Sequence, residues 1–277
     1  MRYCGKLRHP WLQRFCMGTL LWLVWSGPIR ECRGQFCTSP IITKQPTSVI
    51  VLAGDPASFS IGVLQESCLL TYRWVFGGII DIFRGSNSTL TVYHANSHLA
   101  GFYQVVVSNF SGVVTSSVVT LGVVSGPYPA RQTVGAGSNA TFAVSVNGVV
   151  QSATTYQWQF NENDLPGEIN STLTVSNVQS FNAGAYRVLV SSSAGSVTSS
   201  NAILSVAPYL GCAHWGTNGF HFRVTGSPCS NYVIQASSDF QVWDNLSTNT
   251  APASGSFEFI DFDAFNSTER LYRVLQP

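Results

Sequence analysis

Charge is scarce in this chain. Asp, Glu, Lys and Arg make up only 10% of its 277 residues, and 14 basic side chains stand almost balanced against 13 acidic ones. Six of those basic residues and one acid fall within the first 34 positions, so the remainder is mildly acidic. Scattered charge of that kind has no counterion-release footprint, and nucleic-acid binding is not expected. The motifs of common enzyme chemistry are missing too: no G-x-S-x-G elbow, no H-E-x-x-H, no P-loop, and no G-x-G-x-x-G after a strand. Carboxylates are few and dispersed, so a paired acid and base is not evident either. No stretch holds a 3.6-residue apolar period over helical length, and no apolar run reaches the roughly 20 residues of a membrane-spanning helix. Neither an enzyme nor a cofactor is expected.

Short runs of β-branched and aromatic residues are present instead, set between Gly, Asn and Ser. That mixture suits pleated, half-buried strands. A mean hydropathy of +0.16 is too apolar for a disordered chain.

The first 34 residues read as a secretory signal peptide. Lys6, Arg8 and Arg14 give a positive start, and Phe15 to Ser26 is an uncharged run of twelve. Cleavage after Gly34 is expected, and no L-x-x-C lipobox is evident. The mature chain is then secreted, extracellular or held at the cell surface, with no membrane span of its own. Of seven cysteines, Cys4, Cys16 and Cys32 leave with the signal, and Cys37, Cys68, Cys212 and Cys229 remain. An even number in an oxidising compartment suggests two disulfides with three possible connectivities. Proximity along the chain favours Cys37 with Cys68 and Cys212 with Cys229.

An internal repeat is the strongest signal. NSTLTV occurs at 87–92 and again at 170–175, an offset of 83 residues. The same offset superposes Gly54 on Gly137, Phe59 on Phe142, Tyr103 on Tyr186, and VTSS at 114–117 on VTSS at 197–200. Trp74 and Trp158 stand 84 apart, a difference that one loop insertion absorbs. Within each unit ASFSIGV and ATFAVSV alternate, and TYRWVF and TYQWQF each carry a central Trp. Short strands at regular spacing between turn residues indicate a sandwich.

The repeated unit resembles the immunoglobulin superfamily, in particular the I-set-like tandem domains of secreted bacterial proteins. The family's strand-C tryptophan matches Trp74 and Trp158. Its D-x-G-x-Y-x-C signature matches LAGFYQV at 99–105 and NAGAYRV at 182–188, which places Tyr103 and Tyr186 at the tyrosine corner. Both cysteines of the family's inter-sheet bridge are missing. Ile61 and Val105 stand there in one unit, Val144 and Val188 in the other, and Leu99 and Asn182 replace the signature Asp. Apolar contact of these side chains against the Trp, about 1.5–3 kcal/mol each on burial, is the expected substitute for a bridge typically giving about 2–4 kcal/mol. The family also places the N-terminus beside the B–C loop, which implies that Cys37 and Cys68 meet.

Residues 209–277 do not fit the repeat. FHFRVTG, NYVIQAS, SFEFIDF and RLYRV read as strands, and the pattern from Tyr232 to Trp243 resembles a short β module found at the end of many such bacterial proteins. Phe220, Phe222, Phe257 and Phe259 alternate as core residues should. Exposed aromatics here would suit a sugar ring, so carbohydrate binding by this module is an alternative. Cys212, His214, His221 and Cys229 fall within eighteen residues, but their spacing matches no zinc motif, and a disulfide is expected rather than a metal. A metal-dependent enzyme built on that cluster is the least favoured reading. Asp261 and Asp263 are expected in a solvated turn rather than a calcium site.

The expectation is therefore an all-β chain. A signal peptide at 1–34 precedes two tandem immunoglobulin-like Greek-key β-sandwiches, at 39–124 and 125–207, and a smaller antiparallel β domain at 209–277. Its expected function is non-catalytic binding, adhesion or spacing, toward an unknown protein or glycan ligand.

Overall fold

The computed structural model describes residues 37–64, 68–148 and 153–277. The expected signal segment lies outside the described residues. Among those described, no helix is long and apolar enough to cross a membrane.

The first sandwich sets two layers face to face. One layer consists of two two-stranded ladders, β1 (Ile42–Lys44) with β4 (Gly62–Val63) and β3 (Ala57–Ser60) with β7 (Thr89–Val92). The other runs β2 (Val49–Leu52), β10 (Val119–Tyr128), β8 (Gly101–Asn109), β5 (Thr71–Phe76) and β6 (Ile80–Gly85), with β9 (Gly112–Thr115) also on β8. β2 pairs with β10 in parallel, so the edge strand changes sheets partway along its course. Alternation drives the packing: Ala57 and Phe59 point inward from β3, and Tyr103, Val105 and Val107 from β8. Trp74 is fully buried and lies directly opposite Val105 on the neighbouring strand, with Ile61 in the same core. The Tyr103 hydroxyl donates to the carbonyl of Leu99 at 2.6 Å.

The second sandwich repeats this plan. β11 (Arg131–Val134) pairs in parallel with β18 (Ala202–Val206), followed by β16 (Gly184–Ser192), β13 (Thr155–Phe160) and β14 (Asn163–Asp164), with β17 (Gly195–Thr198) on β16. β12 (Ala140–Asn147) and β15 (Thr172–Val175) face them. Trp158, also fully buried, opposes Val188 across the strands, with Val144 and Tyr186 in the same core. The Tyr186 hydroxyl donates to the Asn182 carbonyl at 2.7 Å.

The repeated VTSS motif has a structural use in both units. The Ser116 hydroxyl accepts from the Val105 amide at 3.0 Å, and Ser199 does the same for Val188. Each serine fills a break between two pieces of one strand, β9 and β10 or β17 and β18, and keeps the adjoining backbone paired.

No linker separates the two sandwiches. Residues 124 and 125, the expected boundary, lie inside β10. Its first half pairs with β8 and β2, and its second half pairs with β12. Ile50, Leu52 and Val124 accordingly pack into the second core. Gly148, at φ +80°, closes the joint: a Cβ there would lie 2.1 Å from the Leu121 oxygen. Only glycine fits that approach.

The other end of the first sandwich is covered by its own N-terminal segment. Cys37 and Cys68 form a disulfide with Cα atoms 5.9 Å apart. Asn109 Nδ2 donates to the Thr38 oxygen at 2.7 Å, and Ser111 Oγ to the Cys37 oxygen at 2.8 Å. The turn between β8 and β9 is thereby strapped to the chain's start.

The C-terminal domain is a smaller sandwich of two three-stranded sheets. β19 (Tyr209–Trp215), β20 (Phe220–Thr225) and β23 (Ser256–Asp261) form one, and β22 (Asp244–Thr250), β21 (Asn231–Ser237) and β24 (Leu271–Leu275) the other. Phe222, Val224, Tyr232 and Ile234 are its buried centre, with Phe220, Phe257 and Phe259 packed around them. The second sandwich meets it through the buried Ser227, whose hydroxyl accepts from the Val206 amide at 2.8 Å, and through Ser180 Oγ, which donates to the Ser254 oxygen at 3.0 Å.

One expected bridge is absent. Cys212 and Cys229 are both free and exposed. Cys212 occupies a bulge in β19, while Cys229 lies in the turn beyond the far end of β20. A disulfide needs Cα atoms within about 7 Å; β20 passes the Cys212 bulge at Phe222–Arg223, and the chain runs on past Thr225 before Cys229 is reached.

Candidate functional site

The side chains with chemical capability converge on the C-terminal domain. Phe220, Phe222 and Val224 of β20 turn inward, so His221 and Arg223 face outward. The bulge at Cys212 and Ala213 inserts one residue into β19 and brings His214 directly opposite His221. Their rings stack with centroids 4.9 Å apart. Glu258 joins from β23, in register with Arg223, and its Oε1 lies 3.3 Å from His221 Nδ1. His214, His221 and Glu258 each offer a ligand atom, all within 4.8 Å of one another. Cys212 and Cys229, grouped with these histidines in the sequence, do not belong to this set. Glu258 was missed because it is 37 residues from His221, and only the pairing of β20 with β23 joins them.

Next to this cluster, on the inward side of the same hairpin, Trp215 packs edge-on to Phe220 and against Phe265, at centroid distances of 5.1 and 5.0 Å. Trp215 and Phe265 are each 59% exposed. Four aromatics read from the sequence as core are indeed inward, but this pair is a surface feature.

Asp261 behaves differently from the solvated turn expected of it. It is 5% exposed, and its Oδ2 accepts from the Tyr272 hydroxyl at 3.0 Å. Arg270 Nε approaches the same oxygen to 2.6 Å, off the N–H axis, so charge rather than an aligned hydrogen bond holds the pair. The Asp263 amide takes Oδ1. Burial, then the hydrogen bond to Asp261, pushes the Tyr272 phenol well above its ordinary value. Both carboxylate oxygens are thus engaged by protein partners, in a buried ion pair. The sequence hid this because Arg270 comes from beyond the next turn.

The module pattern from Tyr232 to Trp243 is structural as well. Asp239 accepts from the amides of Val242 and Gln241 and from the Ser237 hydroxyl, which hold its carboxyl below the usual range and shape the turn between β21 and β22. Trp243 lies under the Arg273 guanidinium, 4.2 Å from ring centroid to carbon. His94 and His98 lie exposed in the turn before β8, where Asn96 Oδ1 accepts from the His98 amide.

Comparison with known proteins adds the following. No family model matches the sequence, and no curated protein matches it. Solved structures of immunoglobulin domains are similar to it. A three-domain segment of titin shares 17% identity, covering 86% of this chain and 94% of that one, with a TM-score of 0.34. The four N-terminal immunoglobulin domains of Dscam share 20% identity over 61% of this chain and 46% of theirs, with a TM-score of 0.30. The immunoglobulin tandem of the Drosophila receptor tyrosine phosphatase Dlar shares 18%, over 61% and 98%, with a TM-score of 0.28. All three are structures of immunoglobulin domains.

Proposed function

We propose that this is a secreted, non-catalytic bacterial protein of I-set-like immunoglobulin type, in which the two sandwiches act as a rigid spacer for the C-terminal module. The observation that carries this reading is the single strand β10, which completes the first sandwich and begins the second. Loop-based recognition is disfavoured by the same architecture. Immunoglobulin variable domains bind through loops at the end that carries the B–C and F–G turns. In the first sandwich that end is strapped by the N-terminal segment and the disulfide. In the second it abuts the first, through Gly148 against Leu121 and Gly195 against Ile50. The described parts of these turns are engaged in end-to-end contact, which transmits position well.

The test is a distance measurement. A spin label on Cys212, in a Cys229→Ser background, is paired with one at Thr115→Cys on exposed β9. Electron–electron resonance should return one narrow distance distribution; a broad one, as flexible linkers give, would end this reading.

A second reading is favoured by the exposed Trp215–Phe265 pair. Aromatic faces left to solvent are a platform for a sugar ring, and the module would then be a carbohydrate-binding unit held out by the spacer. Glycan-array binding by the full chain that disappears with Trp215→Ala supports it. No binding to any glycan removes it.

A further inference from the structure

We infer that His214, His221 and Glu258 form a surface site for one divalent transition-metal ion of the zinc class, linking β19, β20 and β23. The inference goes beyond the spacer reading and does not depend on it.

Two imidazoles and one carboxylate are a borderline-to-hard ligand set that suits zinc, with a fourth position left to solvent. The backbone fixes their convergence. The bulge aligns His214 with His221, and register places Glu258 diagonally across from His221 on the same outward face. Zinc ligands lie about 2.0–2.2 Å from the ion, so two of them stand roughly 3.4 Å apart. His221 Nδ1 and Glu258 Oε1, at 3.3 Å, already meet that spacing. Closing the remaining separations from 4.8 Å requires only rotation of His214 and Glu258, both of which are exposed.

The second nitrogen of His221 argues more strongly. Its Nε2 lies 2.8 Å from Asn218 Oδ1, in the turn between β19 and β20. An Nε2–H donated to that oxygen leaves the Nδ1 lone pair facing Glu258. The Nε2 edge is also closed sterically, because a Cβ on Gly216 would fall 2.5 Å from it. With Nε2 so engaged, Nδ1 is the ring nitrogen turned toward the Glu258 carboxylate, and these are the two atoms a bound cation would share. His214 has a weaker counterpart, its Nδ1 being 3.4 Å from the Cys212 oxygen. Acceptors on the non-ligating nitrogens are the outer support that metal-bound histidines characteristically have.

The test is titration of the full chain with Zn²⁺ by calorimetry and with Co²⁺ by absorbance. One ion per chain is expected, bound alike by wild type and by the Cys212→Ser/Cys229→Ser variant. The Co²⁺ spectrum should show d–d bands without a sulfur charge-transfer band. His214→Ala and His221→Ala should each abolish saturable binding. Asn218→Ala, which leaves all three ligands, should weaken it by roughly 10-fold or more at unchanged stoichiometry. No binding by wild type overturns the inference. So does binding that survives His214→Ala, or that vanishes when the two thiols are replaced.

Discussion

The indole Nε1 of Trp158 donates to the main-chain oxygen of Asn170 across 2.8 Å. Trp74, at the corresponding place in the first sandwich, is equally buried, yet its Nε1 has no acceptor among the described residues. The segments beginning at Asn87 and Asn170 are identical in sequence, so the difference comes from the intervening chain. In the first sandwich β6 pairs along β5, Trp74 facing Phe83. In the second, the chain turns back after the short β14, and the Trp158 amide donates to the Glu168 oxygen, which draws Asn170 over the indole. A buried unsatisfied donor costs about 1–3 kcal/mol. Trp74→Phe should therefore cost less stability than Trp158→Phe, by about 1–2 kcal/mol, in denaturant titrations followed by circular dichroism. Equal losses would contradict the asymmetry.

Alkaline pH should unsettle both sandwiches. Burial pushes the Tyr103 and Tyr186 phenols up to about 12 from an ordinary value of 10. A group with a raised folded value binds its proton more tightly when folded, so its share of stability is complete below pH 10 and is lost as pH climbs toward 12. The denaturation midpoint should stay flat up to about pH 10 and fall beyond it. Tyr186→Phe should flatten part of that fall, while costing about 1 kcal/mol at neutral pH for the lost bond to Asn182.

Reduction of Cys37–Cys68 should loosen the first sandwich alone. The bridge spans 31 residues, and closing a loop of that size restricts the unfolded chain by about 3–4 kcal/mol. Hydrogen exchange with and without reductant should show lost protection in β1, β4 and β8, with little change in β12 or β16. Uniform loss across both sandwiches would mean that their shared strand couples them more tightly than this expects.

Arg270 should be worth more than a surface arginine. Asp261 is 5% exposed and its partner's side chain 22% exposed. Removing the partner strands a buried carboxylate. Arg270→Ala should destabilise the C-terminal domain by about 3 kcal/mol, near the lower end for buried pairs because Arg270 keeps some solvent. Urea unfolding of the variant checks this, and a loss under about 1 kcal/mol would class the pair with ordinary surface salt bridges.

Gly148→Ala tests the joint. The added Cβ meets the Leu121 oxygen at 2.1 Å, on a backbone already at φ +80°. Strain of that kind costs about 1–3 kcal/mol. The variant should either melt at lower temperature or, in the spin-label experiment above, broaden the distance distribution. A variant matching wild type in both would show that the joint yields easily.

Local pattern carried much of this. Two-residue alternation, turn residues at regular intervals and an 83-residue repeat are properties of neighbouring side chains, and they sufficed for an all-β chain with two like sandwiches and a smaller third unit. The pairing of Cys37 with Cys68 was reachable as well, through the family's placing of the N-terminus beside the B–C loop. What the sequence left open depends on register between strands distant in the chain. The single residue inserted at the β19 bulge puts His214 against His221, and a strand 37 residues further on supplies Glu258. The failure of Cys212 to meet Cys229 and the burial of Asp261 beside Arg270 have the same origin. Spacing along a chain fixes which way a side chain points from its own strand; which strands lie beside it is settled only when the sheets close.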